Sequence, residues 1–193
     1  MQLISSNQSI LAIAFMSLLF SAGLNVVLGV RVSQQRATIQ NGTGEKQIMI
    51  GRRLEAFEAT DVSGRRKRLE FGSDGRPTVL YTFQPGCSWC ERNHEAIVAL
   101  HAQASGSYRF VGLSLSDHEL VETLERLPLP FEVLTGVEAE MLASYRLGGT
   151  PRTLVIDSNG VIEANFFGAF MGDLGRQVEA KFDVDLPAVR TGE

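Results

Sequence analysis

Hydrophobic and polar positions divide the chain into three regimes. Residues 10–30, "ILAIAFMSLLFSAGLNVVLGV", carry no charge, and as a helix this run reaches about 30 Å, the thickness of a bilayer's hydrocarbon core. A cleaved leader would open on a basic stretch and close a shorter apolar region on small residues. Residues 1–30 hold no Lys or Arg, and "FSAG" at 20–23 is a poor version of such a site with apolar residues continuing beyond it. The pattern therefore predicts an uncleaved transmembrane anchor over residues 1–30. Residues 31–47 turn polar and lose apolar periodicity, as a linker does. From residue 48 to 185, short apolar runs alternate with turn residues and amphipathic stretches, predicting one α/β domain before a loose tail at 186–193.

Inside that domain the period changes element by element. "FEATDVSGRRKRLEF" at 57–71 reads as two short strands, with the basic run "GRRKR" at 64–68 as the solvated turn between them. "PTVLYTF" at 77–83 is a β-branched and aromatic run of strand length, bounded by Pro77, Pro85 and Gly86. From Cys87 to about Ala104 the period becomes helical, with Ala96, Ile97, Leu100 and Ala104 on one face. "YRFVGLSLS" from Tyr108 is a second buried-type strand. Ser116 and Glu119 have the spacing of a capping box for the next helix, whose apolar stripe is Leu120, Val121, Leu124 and Leu127 and which Pro128 and Pro130 end. "FEVLT" at 131–135 is a short strand, and Thr135 with Glu138 repeats the capping spacing ahead of a helix to about Tyr145. "RTLVID" and "VIEANFFG" are strands joined by the turn residues "DSNG" at 157–160, and a last helix covers 173–182, after which the chain reads as loose. Strands alternating with helices, then a hairpin, predict a mixed sheet flanked by helices.

Composition narrows the function. With 44% apolar and 21% charged residues the chain can bury an ordinary core. A formal net charge of −4 leaves no broad basic face for phosphates, which argues against a general nucleic-acid binder. Arg31, Arg36 and Lys46 follow the apolar run and by the positive-inside rule favour a cytoplasmic domain, but a folded domain crosses largely regardless of charge, so orientation stays open.

Both cysteines of the chain stand in "TFQPGCSWCER" at 82–92, where strand gives way to helix. A thiol reacts as its thiolate, and the N–H groups at a helix start stabilise a negative sulfur, lowering the thiol pKa from about 8.5. Cys87 occupies that position, and Cys90, one turn further in, is close enough to close a disulfide with it. In such a couple Cys87 attacks and Cys90 resolves the mixed disulfide. The same spacing also serves as half of a zinc site. The other half is missing, since no second cysteine pair exists and His94, His101 and His118 are not spaced as a knuckle. A copper or zinc site built from Cys87, Cys90 and His94 is the metal alternative; otherwise His94 and His101 read as helix-flank histidines.

"CSWC" opening a helix after a strand, followed 64 positions after Cys87 by Pro151 in "GGTPRTLVID", resembles the thioredoxin-like superfamily. The resemblance implies a cis Pro151 whose loop faces the disulfide, with the Thr150 backbone able to pair with an extended substrate. The extra strand and helix before Pro151, together with the opening hairpin "IGRRLEAFEATDVSGRRKRLEF", resemble the membrane-tethered TlpA/ResA/CcmG-like redoxin branch, over roughly residues 50–182. "FQPGCSWC" is closer in form to MauD-like proteins. Departures concern the surroundings of the pair: Gly86 stands where the family often has Trp, and Trp89 lies between the cysteines. Tyr81 replaces the buried Asp of thioredoxins and Asn93 the Glu of ResA-like proteins, leaving Cys90 without an obvious proton acceptor; Glu91 and Glu95 are nearby. Trp89 either belongs to a flat apolar surface for partner proteins or packs beside its own helix.

The resemblance implies a thiol–disulfide oxidoreductase anchored by one helix in a bacterial inner membrane, its soluble domain in the periplasm or an equivalent space. It would reduce client proteins such as apocytochrome c or another cofactor-bearing protein and be recharged by a membrane electron donor. Its partners would be those clients, the donor and the lipid bilayer, with no nucleic acid. The redox group is the Cys87–Cys90 disulfide, so no separate cofactor or metal is implied. Site residues are Cys87 and Cys90, with Trp89, Thr150 and Pro151 meeting substrate. A disulfide donor of the same fold is the rival, and Thr82, Pro85 and Cys87 lack the spacing of a peroxiredoxin site.

Overall fold

The run after Pro77 forms the middle of the sheet. In the computed structural model, which describes residues 50–189, this strand spans Thr78–Phe83 with all six residues buried. The anchor expected over 1–30 and the linker over 31–47 lie outside the described residues, as do residues 190–193. Among the described residues no helix is long and apolar enough to cross a membrane.

In chain order the strands are β1 (Phe57–Asp61), β2 (Arg66–Leu69), β3 (Thr78–Phe83), β4 (Arg109–Ser114), β5 (Glu132–Thr135), β6 (Arg152–Ile156) and β7 (Ile162–Phe167). The helices are α1 (Ser88–Ala104), α2 (Leu120–Arg126), α3 (Ala139–Ser144) and α4 (Gly172–Phe182). One sheet runs in the order β2-β1-β5-β4-β3-β6-β7. β3, β4 and β5 are parallel neighbours, while β1, β2, β6 and β7 join antiparallel. The expected mixed sheet with its leading hairpin and inserted β5–α3 unit is therefore present.

Alternation along β3 divides the core between two faces. Val79, Tyr81 and Phe83 pack with Ile97 and Leu100 of α1 and with Val178 and Phe182 of α4. Leu80, Leu154 and Ile156 pack on the other face with Leu147 and the partly buried Met141 and Leu142 of α3. Ile97 and Leu100 are fully buried, and at roughly 1.5–3 kcal/mol for each such side chain this packing outweighs anything propensity contributes to holding α1 in place.

Four local expectations are corrected. The basic run "GRRKR" is mostly strand: only Gly64 and Arg65 lie in the turn, and Arg66, Lys67 and Arg68 are exposed on β2. Asp61 closes that turn, accepting from Ser63 N, Ser63 Oγ and Arg65 N at 2.9, 2.6 and 3.0 Å. Hydrogen bonding from Ser63 holds its carboxyl well below the usual carboxylate range, with desolvation acting in the opposite direction. Neither capping box forms. α2 begins after Glu119 and α3 after Glu138, without a side-chain cap in either case, and Ser116 Oγ instead accepts from His118 N at 3.2 Å. Val121, placed on the apolar stripe of α2, is 53% exposed, and Thr123 is buried in its stead. The segment after Phe182 is tied down as far as Val189. Val184, Leu186 and Val189 pack on the core, and Gln103 Nε2 donates to Asp185 O at 2.7 Å.

Candidate active site

Where β3 ends, Gln84, Pro85 and Gly86 turn the chain into α1. Gly86 adopts φ +71°, a left-handed conformation that a side chain makes costly, which accounts for glycine in place of a bulky residue before the first cysteine. Cys87 is the N-cap of α1, and its Sγ accepts from Cys90 N at 3.1 Å while its carbonyl accepts from Cys90 N and Glu91 N. The sulfur therefore faces the open N–H groups and the positive end of a 17-residue helix, the surroundings that favour a thiolate. Its partner is Cys90: the two sulfurs are bonded, with Cα atoms 5.2 Å apart. Cys87 is partly exposed and Cys90 is buried, so an incoming disulfide meets Cys87 first.

Opposite the pair lies the loop before β6. The Thr150–Pro151 bond is cis, and Thr150 Oγ1 donates to Cys87 Sγ at 3.4 Å. Pro151 is buried. The loop after β7 completes the wall: Gly168 N donates to Pro151 O at 2.9 Å, and Phe170 N donates to Asn93 Oδ1 at 2.7 Å. Cys87, Cys90, Thr150 and Pro151 are thus brought together as expected. Trp89 is 47% exposed beside them, and the Arg92 guanidinium lies 4.8 Å from its ring centre. Trp89 thus stacks with Arg92 of its own helix and keeps an open face.

Behind the disulfide stand the two departures, Tyr81 and Asn93. Burial pushes the Tyr81 phenol up to about 12, and the nearby Asn93 side chain pulls weakly the other way. Asn93 is fully buried, and its amide nitrogen, despite that proximity, makes no hydrogen bond of ordinary geometry. Its oxygen belongs to Phe170 N. Glu91 and Glu95 are exposed, and Glu91 meets Arg126 at 3.2 Å. His94 Nε2 is 2.9 Å from Pro128 O. His101 packs against the Phe110 and Phe131 rings, where burial lowers its pKa. His118 is exposed on the loop between β4 and α2. Among the described residues no three His, Cys, Asp or Glu gather as a metal-binding group.

Two participants lie outside the motifs legible in the sequence. The loop at 168–171, "GAFM" between β7 and α4, has the composition of a tight connection. Arg152, directly after Pro151, is 5% exposed, with its guanidinium 4.6 Å from the Phe167 ring centre and Nη2 donating to Gly148 O at 3.2 Å. It shapes the loop that carries Thr150, and nothing in its local pattern announced a buried cation.

The thiol:disulfide interchange protein DsbE of Escherichia coli (strain K12) is 27% identical over 126 residues, covering 62% of this chain and 66% of that protein. The match thus spans just under two thirds of the curated relative. Among solved structures, the thioredoxin domain of a thiol-disulfide oxidoreductase from Bacteroides vulgatus is 21% identical with a TM-score of 0.56, covering 69% of this chain and 97% of that one. StoA from Bacillus subtilis is 18% identical with a TM-score of 0.51, covering 66% and 97%. These likenesses establish a thioredoxin-like α/β fold, in keeping with the TlpA/ResA/CcmG-like resemblance. The family model described as AhpC/TSA matches residues 50–165, from the segment before the hairpin through both cysteines and Pro151 into β7, and on that span the chain belongs to the AhpC/TSA family.

Proposed function

We propose that this chain is a thiol–disulfide oxidoreductase that reduces disulfides in extracytoplasmic client proteins while tethered to a membrane. The observation that carries the reading is the Cys87–Cys90 disulfide at the open end of α1, facing Thr150. In the reduced protein the Cys87 thiolate attacks a client disulfide; a Cys87–client S–S bond forms and one client sulfur leaves as thiolate. The Cys90 thiolate then attacks Cys87 Sγ, forming the internal disulfide and releasing the second client sulfur. Two electrons and two protons pass from the dithiol to the client. A membrane electron donor restores the dithiol, and the uncharged run at residues 10–30 supplies the tether.

Several features support the thiol–disulfide exchange. The more exposed sulfur is the one at the helix start, the exposed face of Trp89 gives a protein client an apolar contact, and the E. coli relative is named a thiol:disulfide interchange protein. Replacing Cys87 with Ser should abolish reduction of insulin disulfides, and undiminished activity in that variant would refute the assignment. Cys90→Ala should instead accumulate covalent adducts with clients, whose identity would show whether they are cofactor-bearing proteins.

The rival within the same chemistry is a disulfide donor. Equilibration with glutathione separates the two, a potential near about −270 mV marking a reductant and one near about −120 mV an oxidant. A metal-handling role predicts stoichiometric Cu(I) or Zn(II) uptake lost in His94→Ala. The bonding of the sulfurs to each other and of His94 to Pro128 O favours redox chemistry.

A further inference from the structure

Resolution requires Cys90 to lose a proton from a buried position, and the groups directly behind it are poor acceptors. Tyr81 keeps its own proton up to about pH 12, and Asn93 has no basic atom, its amide oxygen being occupied by Phe170 N. A small cavity opens against Cys90 between α1 and α2. It offers about 20 Å³ to the centre of a water molecule, room for one, and in its largely apolar wall the groups able to hydrogen-bond include those of Cys90, Tyr81, Glu91 and His94. Cys90 and His94 are four residues apart on α1, hence neighbours on one helix face. The orientation of His94 is fixed by Pro128 O, 2.9 Å from Nε2. A carbonyl only accepts, so Nε2 carries the hydrogen, and the neutral ring keeps its lone pair on Nδ1. The carboxylate of Glu91, also on the wall, is engaged by Arg126 Nη2 at 3.2 Å.

We propose that His94 is the general base for Cys90, taking the thiol proton at Nδ1 through one water in this cavity as the mixed disulfide is resolved. The inference rests on the oxidoreductase reading above. The balance is complete: Cys90 Sγ–H gives its proton to the imidazole and its sulfur attacks Cys87 Sγ. The Cys87–client bond breaks, and the departing client thiolate takes a proton back from the imidazolium or from water. General-base assistance through one water is a recognised arrangement, and its contribution reaches a hundredfold and more. The titratable and charged groups around His94 are Cys90, Glu91, Arg92 and Glu95 of α1 and Tyr81 of β3. Arg126 at the end of α2 is joined to Glu91, and the covering segment at 187–189 brings no charge.

The test is a stopped-flow reaction of the reduced full chain with 5,5′-dithiobis(2-nitrobenzoate). One thionitrobenzoate leaves as Cys87 attacks, and a second leaves as Cys90 resolves the adduct. His94→Gln retains an amide N–H for Pro128 O while removing the base. It should leave the first phase intact, slow the second about tenfold or more, and flatten the pH dependence of the second phase, with free imidazole restoring part of the rate. A second phase of unchanged rate and pH profile in His94→Gln overturns the proposal. So does equal slowing of both phases, which would mark a structural role, or loss of the second phase in Glu91→Gln with His94→Gln unaffected. The underlying reading fails differently: the wild-type chain would then release no second thionitrobenzoate at all.

Discussion

Thr150 Oγ1 donates to Cys87 Sγ at 3.4 Å across 63 positions of sequence, tying the loop before β6 to the reactive sulfur. A hydroxyl aimed at a sulfur stabilises its thiolate more than its thiol. Thr150→Val keeps the shape of the side chain and removes the donor. At about 1 kcal/mol for the lost bond, the variant should alkylate at Cys87 roughly five times more slowly near neutral pH, with the alkylation profile displaced to higher pH. Iodoacetamide trapping of the reduced protein across pH 5 to 9 measures both, and an unchanged profile would remove Thr150 from the thiolate's surroundings.

Two glycines flank the site with unequal tolerance. A Cβ on Gly86 would meet nothing within 4 Å, so Gly86→Ala carries only the strain of φ +71°, about 1 kcal/mol. A Cβ on Gly149, at φ +91°, would lie 2.8 Å from Phe167 Cε2. Phe167 also supports the Arg152 guanidinium, so the ring has little freedom to yield. Gly149→Ala should therefore cost about 1 kcal/mol more than Gly86→Ala in urea unfolding and should slow insulin reduction as well, because Thr150 is its neighbour. Equal costs would mean that the ring moves aside freely.

Asn93 joins α1 to the loop after β7 through a single bond to Phe170 N at 2.7 Å. Both groups are buried, so Asn93→Ala leaves an N–H without a partner at about 1–3 kcal/mol. Hydrogen exchange at the Phe170 amide should accelerate by a comparable free energy. Asn93→Asp, which retains an acceptor, should protect that amide better than Asn93→Ala; equal exchange in the two variants would show that the loop is held by other contacts.

Most of the fold was legible because its signals are periodic. β3 announces itself by an unbroken β-branched and aromatic run, α1 by Ala96, Ile97, Leu100 and Ala104 on one stripe, and the β6–β7 hairpin by "DSNG", whose Asp157 accepts from Asn159 N and Val161 N. The failures occurred where the signal is short or non-local. Ser-x-x-Glu also fits a turn, and around Ser116 the turn prevails, with Glu119 at φ +56°. Val184, Leu186 and Val189 follow no period, so only the groove they fill shows that they are held. At the site, the cysteines and Pro151 are local motifs, whereas the Asn93–Phe170 bond, 77 positions apart, depends on the path of β7.

Tyr81 makes the stability of the domain sensitive to alkali in a definite direction. The residue is 2% exposed, and burial raises the pKa of its phenol from 10.0 to about 12 in the folded chain. Below pH 10 the group is neutral in folded and unfolded states alike, and it adds no pH dependence there. Between about pH 10 and 12 the unfolded chain loses the proton while the folded one retains it, so unfolding becomes progressively easier as pH rises. Two units correspond to roughly 2–3 kcal/mol once the upper limit is passed. Tyr81→Phe removes the ionisation and keeps the stacking position beside Phe83, whose ring centre is 5.7 Å away. The difference in unfolding free energy between Tyr81→Phe and wild type should thus be flat from pH 7 to 9 and should shift in favour of the variant by up to that amount at pH 12. Other tyrosines and lysines titrate in the same range, but they are common to both proteins and cancel in the difference. A difference that stays constant to pH 12 would mean that the phenol reaches solvent or a stabilising partner as it ionises.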